Sequence, residues 1–220
     1  KASKNLKKIS LEMGGKNPVI IFDDCNYNKM IDSLLKSSFL NQGQICLAGS
    51  RVYVQQTIYE KFKKDFISKI KKLNIGDPFD NKTDQGAIVS LEHLNKISQY
   101  VNQAKKEGGE ILTGGEIPKI NKKKSSGWYF SPTVIENISE NSSLNQEEIF
   151  GPVVTLNTFK DDNEAIKMAN NSNYGLASII WTDDINRAEK LAEVLESGLV
   201  WINCWLERDL RTPFGGIKNS

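Results

Sequence analysis

The sequence predicts an α/β domain: a mostly parallel sheet flanked by helices. Fully apolar runs such as Val19-Ile20-Ile21-Phe22 read as strands covered on both faces. Stretches with apolar residues at helical spacing, such as Tyr27, Met30, Ile31, Leu34 and Leu35, read as amphipathic helices. The two kinds alternate along the chain, which is the order expected of parallel βαβ units. No internal repeat is visible.

Taken in order, residues 9–13 read as a short strand, ended by the turn Gly14-Gly15-Lys16-Asn17-Pro18. After the run 19–22, Asp23, Asp24 and Asn26 are candidate N-caps for a helix reaching Phe39 or Leu40. Residues 51–55 form the next strand. Thr57 with Glu60 three residues on reads as a capping box for a helix with Tyr59, Phe62, Phe66, Ile70 and Leu73 on its apolar face. Gly76-Asp77-Pro78 breaks that helix. Ser90 caps another, with Leu94, Ile97, Val101 and Ala104 inward and Gly108-Gly109 at its close. Residues 111–113 are a short strand, and 114–127 a polar loop. Residues 128–130 and 133–135 suggest a strand interrupted at Pro132. Residues 153–156 are a strand, and Asp161 with Glu164 opens a helix through Met168. Residues 177–181 follow as a strand. Asp184 caps a helix with Ile185, Ala188, Leu191, Ala192 and Leu195 inward, ended by Gly198. Residues 199–203 are the last buried strand.

The chain has 220 residues, enough for one sizeable domain with a piece of a second. Its hydrophobic fraction of 39% and charged fraction of 25% are those of an ordinary globular protein. A net charge of +2 gives no footing for a polyanionic partner. Lysines cluster at Lys61, Lys63, Lys64, Lys69, Lys71 and Lys72, and again at Lys122, Lys123 and Lys124. They read as a solvated helix face and a loop, because no aromatic residues interleave them as a nucleic-acid platform requires. Cys25, Cys46 and Cys204 are widely spaced, and with a single histidine they give no zinc pattern. A reducing, cytoplasmic setting fits. No apolar run is long enough to span a bilayer, and no signal-peptide pattern opens the chain. Both ends read as cut, so a fragment of a longer protein is expected.

Two stretches are chemically unusual. Asn41-Gln42-Gly43-Gln44-Ile45-Cys46-Leu47-Ala48-Gly49-Ser50 sets one cysteine among amides and small residues. A thiol in such a turn lies near backbone N–H groups, which would lower its pKa and stabilise an oxyanion formed by its attack on a carbonyl. Taken alone, such a lone cysteine is more often a small buried hydrophobe. Asn145-Gln146-Glu147-Glu148-Ile149-Phe150-Gly151-Pro152 places two carboxylates and an aromatic ring in a turn before a strand.

Together with Leu11-Glu12-Met13-Gly14-Gly15-Lys16-Asn17-Pro18 and Pro213-Phe214-Gly215-Gly216, these stretches resemble four motifs of the aldehyde dehydrogenases, in the family's order and over nearly the whole chain. The resemblance implies that residues 1–13 end a Rossmann-like coenzyme domain with its last strand. Residues 14–220 would then be the catalytic domain, truncated at its C-terminal end. It implies Cys46 as nucleophile and Glu12 as general base. Glu148, Phe150 and Met13 would meet the coenzyme, NAD or NADP, whose discriminating residues lie upstream. Leu11 and Met13 would bury Glu12 and raise its pKa. A homodimer or homotetramer is expected of the full-length protein, with no metal, nucleic acid or membrane partner, and the fragment alone would be inactive.

Residues 199–205 followed by 208–213 are similar to the muconic-semialdehyde branch of the family. Its substrates, 2-hydroxymuconate or 2-aminomuconate semialdehyde, carry a carboxylate, so Arg208 and Arg211 are candidate clamps and Cys204 a candidate wall of the substrate site. The alternatives are aliphatic or betaine aldehydes, a non-catalytic domain, and a cysteine hydrolase using Cys46 and His93. His93 otherwise reads as a partly exposed surface residue, and Cys25 as a packing residue.

Overall fold

The apolar run at 17–21 becomes β1 (Asn17–Ile21), buried along its whole length. It lies inside a sheet that the computed structural model, which describes residues 2–120 and 126–220, builds from seven strands. The others are β2 (Gly49–Gln55), β3 (Glu110–Thr113), β4 (Thr133–Glu136), β5 (Val153–Phe159), β7 (Ala177–Trp181) and β8 (Leu199–Ile202). Their order is β3-β4-β5-β2-β1-β7-β8, and every neighbouring pair is parallel except β3 with β4. The expected mostly parallel α/β fold is therefore observed. A separate ribbon, not expected from the sequence, pairs β6 (Tyr174–Gly175) with β9 (Ile217–Lys218). The cluster Lys122, Lys123 and Lys124 lies outside the described residues.

Helices cover both faces. On one, α1 (Tyr27–Phe39) and α2 (Tyr59–Ile70) lay Met30, Leu34, Phe62 and Phe66 over Val19, Val52 and Val54. On the other, α3 (Leu91–Lys106) packs on Ile135 and Val153. Beside it, α5 (Asp162–Asn170) and α6 (Ile185–Val194) pack on Ile20, Tyr53 and Ile180. The short α4 (Ser143–Gln146) precedes β5. Predicted caps hold where the side chain meets its own first turn: Asn26, Ser90, Asp161 and Asp184 each accept a backbone N–H.

Several expectations are corrected. Residues 9–13 are not a strand: Ile9 and Leu11 are exposed, and no described strand pairs with them. A strand without a neighbour has no ladder to form. Thr57 does not cap α2; its hydroxyl donates to Asp23 Oδ2 instead, across to the end of β1. Residues 128–130 make only an isolated bridge, through Trp128 to Ile88. Ile185 is exposed at the start of α6. β8 is a half-buried edge strand, with only Trp201 fully covered.

Arg51, buried in β2, ties the layers together. It donates to Lys16 O at 2.9 Å, to Ala169 O at 2.8 Å and to Met168 O at 3.1 Å, so one guanidinium caps the end of α5 and holds the chain entering β1. Arg51→Leu would remove the donor to Lys16 O and Ala169 O, while Met168 O keeps the Tyr53 hydroxyl and the Asn171 N–H. Unfolding in urea should show a loss of about 3 kcal/mol or more; a loss under about 1 kcal/mol would mean that the carbonyls find other partners.

Candidate active site

After α1 the chain turns through Asn41 (φ 52°), Gln42 (φ 57°) and Gly43 (φ 67°), a left-handed run that reverses its direction. Only glycine fits at 43, where a Cβ would stand 2.3 Å from Gly151 O. That contact presses the cysteine loop against the segment before β5. Cys46 then lies half-buried in a tight turn, closed by Ala48 N–H donating to Ile45 O. The backbone N–H groups of Cys46 and Leu47 interact with its sulfur.

Asn17 fixes this loop in place. Its amide donates to Cys46 O at 2.7 Å and to Ala48 O at 2.9 Å, and its carbonyl accepts Ala177 N–H at 3.0 Å. Sequence reasoning passed over it. The available signal was a lone amide opening an otherwise apolar strand, which has to find partners once buried.

Three stretches meet here. Glu148 accepts Gly15 N–H at 3.1 Å through Oε1, and a Cβ on Gly14 would lie 2.3 Å from its Oε2. A Cβ on Gly15 would lie 2.7 Å from Cys46 O. The bare backbone after Glu12 thus receives the carboxylate and the cysteine loop together. Gly15, Gly43, Ile45, Ser50, Glu148 and Phe150 line one crevice between them. Phe150 is partly exposed at φ 57°, and its carbonyl meets His93 Nε2 at 2.6 Å. His93 is therefore more than a surface residue: it secures this turn. Lys16, fully buried with its amine unpartnered, is pushed down to about 7, first by burial, then by Arg51, against the opposing pull of Glu148 and Glu147.

Electrostatics correct a second expectation. The Cys46 thiol is held above its ordinary value: burial contributes most, and the charges of Glu12 and Glu148 add to it. The two backbone N–H groups act in the opposite sense and do not prevail. Glu12 is thus electrostatically coupled to Cys46, yet it is exposed, as are Leu11 and Met13, so those residues do not enclose it. No contact of Met13 defines a binding surface among the described residues.

The remaining candidates follow β8. Arg211 forms a bidentate ion pair with Asp209, and Arg208 stacks over the Phe214 ring at 5.2 Å. Cys204 is half-buried just past β8, in the field of Glu207 and Lys29. Its neighbour Trp205 is the residue that reaches the cysteine loop, donating to Leu47 O at 3.0 Å. The site as a whole sits at the amino ends of β1, β2 and β5, which start at Asn17, Gly49 and Val153. That explains why the usual carboxyl-end rule for open α/β sheets gave Cys46 little support.

Two measurements check this geometry. The pH midpoint for Cys46 alkylation should lie above that of an ordinary cysteine, and should move down in Glu12→Gln and in Glu148→Gln, each of which removes a charge opposing the thiolate; an unmoved midpoint in both would refute the coupling. Asn17→Ala should cost about 2–3 kcal/mol and speed proteolysis within 41–50, because two carbonyls and one N–H lose their partner; an unchanged cleavage pattern would count against the clip.

Known proteins share this arrangement. The sequence pattern of the aldehyde dehydrogenase family matches residues 1–220. The 2-aminomuconic semialdehyde dehydrogenase of Bos taurus is 44% identical over 97% of this chain and 44% of its own length. The 2-hydroxymuconic semialdehyde dehydrogenase of Pseudomonas putida is 40% identical over 100% of this chain and 45% of its own. A crystal structure of betaine aldehyde dehydrogenase from Staphylococcus aureus in complex with NAD+ superposes with a TM-score of 0.93 at 43% identity, covering 99% of this chain and 43% of that one. The chain spans less than half the length of these relatives. With the cysteine loop, the glutamate-bearing approach to β1 and the Glu148 turn assembled at one sheet edge, the chain belongs to the aldehyde dehydrogenase family.

Proposed function

We propose that this chain is the catalytic part of an NAD-dependent aldehyde dehydrogenase that oxidises a carboxylate-bearing semialdehyde of the 2-aminomuconate or 2-hydroxymuconate type to the acid. The observation that carries the reading is the close approach of the Glu148 carboxylate and the Cys46 loop to the bare Gly14-Gly15 backbone that follows Glu12. Residues 1–13 are read as the end of the coenzyme domain and 14–220 as the catalytic domain. The exposed apolar side chains of Leu6, Ile9, Leu11 and Met13 suit a segment that packs against further protein.

The residues present fit a nicotinamide coenzyme. Glu148 uses only Oε1 for its hydrogen bond to Gly15, so Oε2 can accept a ribose hydroxyl, and the partly exposed Phe150 ring offers a flat apolar surface. Met13 is assigned to the same surface. When bound, the coenzyme supplies a hydride acceptor; NADP would serve the same chemistry. The chain's own residues do the rest. Glu12 takes the proton of the Cys46 thiol, and the thiolate attacks the aldehyde carbon. The charge that develops on the carbonyl oxygen is met by the Cys46 N–H, a contact worth about 3 kcal/mol of barrier. With the hydride passed to the coenzyme, a thioester would remain on Cys46; Glu12, having released the thiol proton to solvent, activates the water that hydrolyses it to the acid and the free thiol.

Arg208 is the better candidate for the substrate carboxylate, because the Arg211 fork is already engaged by Asp209. Cys204 is assigned, with Trp205, to the wall between this segment and the cysteine loop. The likeness to betaine aldehyde dehydrogenase supports a second reading, a cationic aliphatic aldehyde. A hydrolase using His93 gains no support, since that ring is committed to Phe150 O. The three free cysteines suit a reducing cytoplasm, and the family resemblance suits a homodimer or homotetramer. No helix among the described residues is long and apolar enough to cross a membrane.

The test is NADH production by the full-length protein offered a muconic semialdehyde or betaine aldehyde. Cys46→Ala should lower turnover by roughly a thousandfold or more, and Arg208→Ala should raise KM for the semialdehyde alone. Equal rates for Cys46→Ala and the parent would remove the assigned nucleophile. Preference for betaine aldehyde would favour the second reading.

A further inference from the structure

One face of α3 runs along the segment that carries Glu148. His93, Lys96 and Tyr100 are three and four residues apart, which places them on a single helical stripe. His93 Nε2 meets Phe150 O at 2.6 Å, Lys96 Nζ donates to Glu148 O at 3.3 Å, and the Tyr100 hydroxyl donates to Glu147 Oε2 at 2.6 Å. The inward stripe of the same helix buries Ile97 against Ile149 and Val153. At Gly151 a Cβ would stand 2.6 Å from Ile97 Cδ1, so the segment lies directly on the helix.

We propose that Tyr100, through Glu147, and His93, through the Phe150 carbonyl, are positioning residues that set where the Glu148 carboxylate stands. The inference rests on the reading that Glu148 binds the coenzyme ribose. Its physical basis is that the turn does not hold its own shape. Phe150 is a non-glycine residue at φ 57°, a strained conformation that persists only where its surroundings impose it. Glu148 reaches the glutamate loop by a single hydrogen bond, from Gly15 N–H. Ile149 is plugged into the core between Glu148 and Phe150. With that plug and the tethers from α3, the carboxylate is aimed from behind, by groups that do not touch the reacting atoms.

Tyr100 suits the task. Burial and the facing Glu147 carboxylate raise its pKa, so the hydroxyl remains a donor at neutral pH. Lys96 lies 5.9 Å from the centre of its ring. Removing the Tyr100 hydroxyl frees the Glu147 side chain while Lys96 and His93 still hold the backbone. The expected effect is therefore graded: looser aim rather than a lost site.

The experiment uses the full-length protein, with Tyr100→Phe, Glu147→Ala, their double variant, His93→Ala and Glu148→Gln. Hydrogen exchange without coenzyme should show faster exchange over 147–151 in Tyr100→Phe and His93→Ala, with the rest of the chain unchanged. NAD titration by fluorescence should show Kd raised roughly threefold to tenfold in Tyr100→Phe and in Glu147→Ala, with no further rise in the double variant, as expected of one shared interaction. KM for the aldehyde at saturating coenzyme should stay put. The proposal is overturned if Tyr100→Phe leaves both exchange and Kd unchanged while Glu148→Gln weakens NAD binding, or if its effect on Kd adds to that of Glu147→Ala. If Glu148→Gln itself leaves NAD affinity unchanged, the ribose assignment fails first and the positioning role falls with it.

Discussion

The side-chain amide of Asn17 is the contact on which the site depends. It sits at the first position of β1 and joins three pieces of chain that are remote in sequence: the glutamate-bearing approach to β1, the cysteine loop before β2, and the start of β7. Each partner is a backbone group that would otherwise be buried without a hydrogen bond. An amide suits the position because it offers donors and an acceptor at once. Two glycines before it complete the arrangement, since any side chain at Gly14 or Gly15 would displace Glu148 or the cysteine loop. The strand carries the site partly through what it omits.

The electrostatic balance follows from the same closeness. Burial first, and then the charges of Glu12 and Glu148, raise the pKa of the Cys46 thiol. A nucleophile restrained in this way is spared from adventitious oxidation and alkylation, which act on the thiolate. Under the proposed chemistry, activation would come with binding. A ligand that engages Glu148 would share out one opposing charge, while Glu12 stands on the exposed segment before β1.

Much of the fold could be read locally. The buried runs of β1 and β7, the inward stripes of α1 and α3, and the caps at Ser90, Asp161 and Asp184 all express periodicity or a contact within one helical turn. What escaped the reading depends on distant partners. Thr57 preferred Asp23 to its own helix, and Arg51 looked like an ordinary strand residue until α5 ended against it. Residues 9–13 have the composition of a strand but no strand beside them. In the site, the motifs marked Cys46, Glu12 and Glu148. They could not show that burial outweighs the N–H groups at the sulfur, that Asn17 is the clip, or that Trp205 donates to the cysteine loop.

Placement at the amino edge of the sheet has a further consequence for charge. Helices that run antiparallel to parallel strands present their carboxyl ends at that edge, as α1 does ahead of the cysteine loop and α5 does beside Arg51. Open sheets that hold ligands at the opposite edge offer helix amino ends, which attract phosphate. Here α1 and α5 bring the opposite pole, with the charges of Glu12 and Glu148 of the same sign, although the first turn of α3 also meets Phe150. Beside two carboxylates a cationic ring is favoured over its neutral reduced counterpart, while an anionic group is better held away from Glu12 and Glu148, as on the Arg208 side.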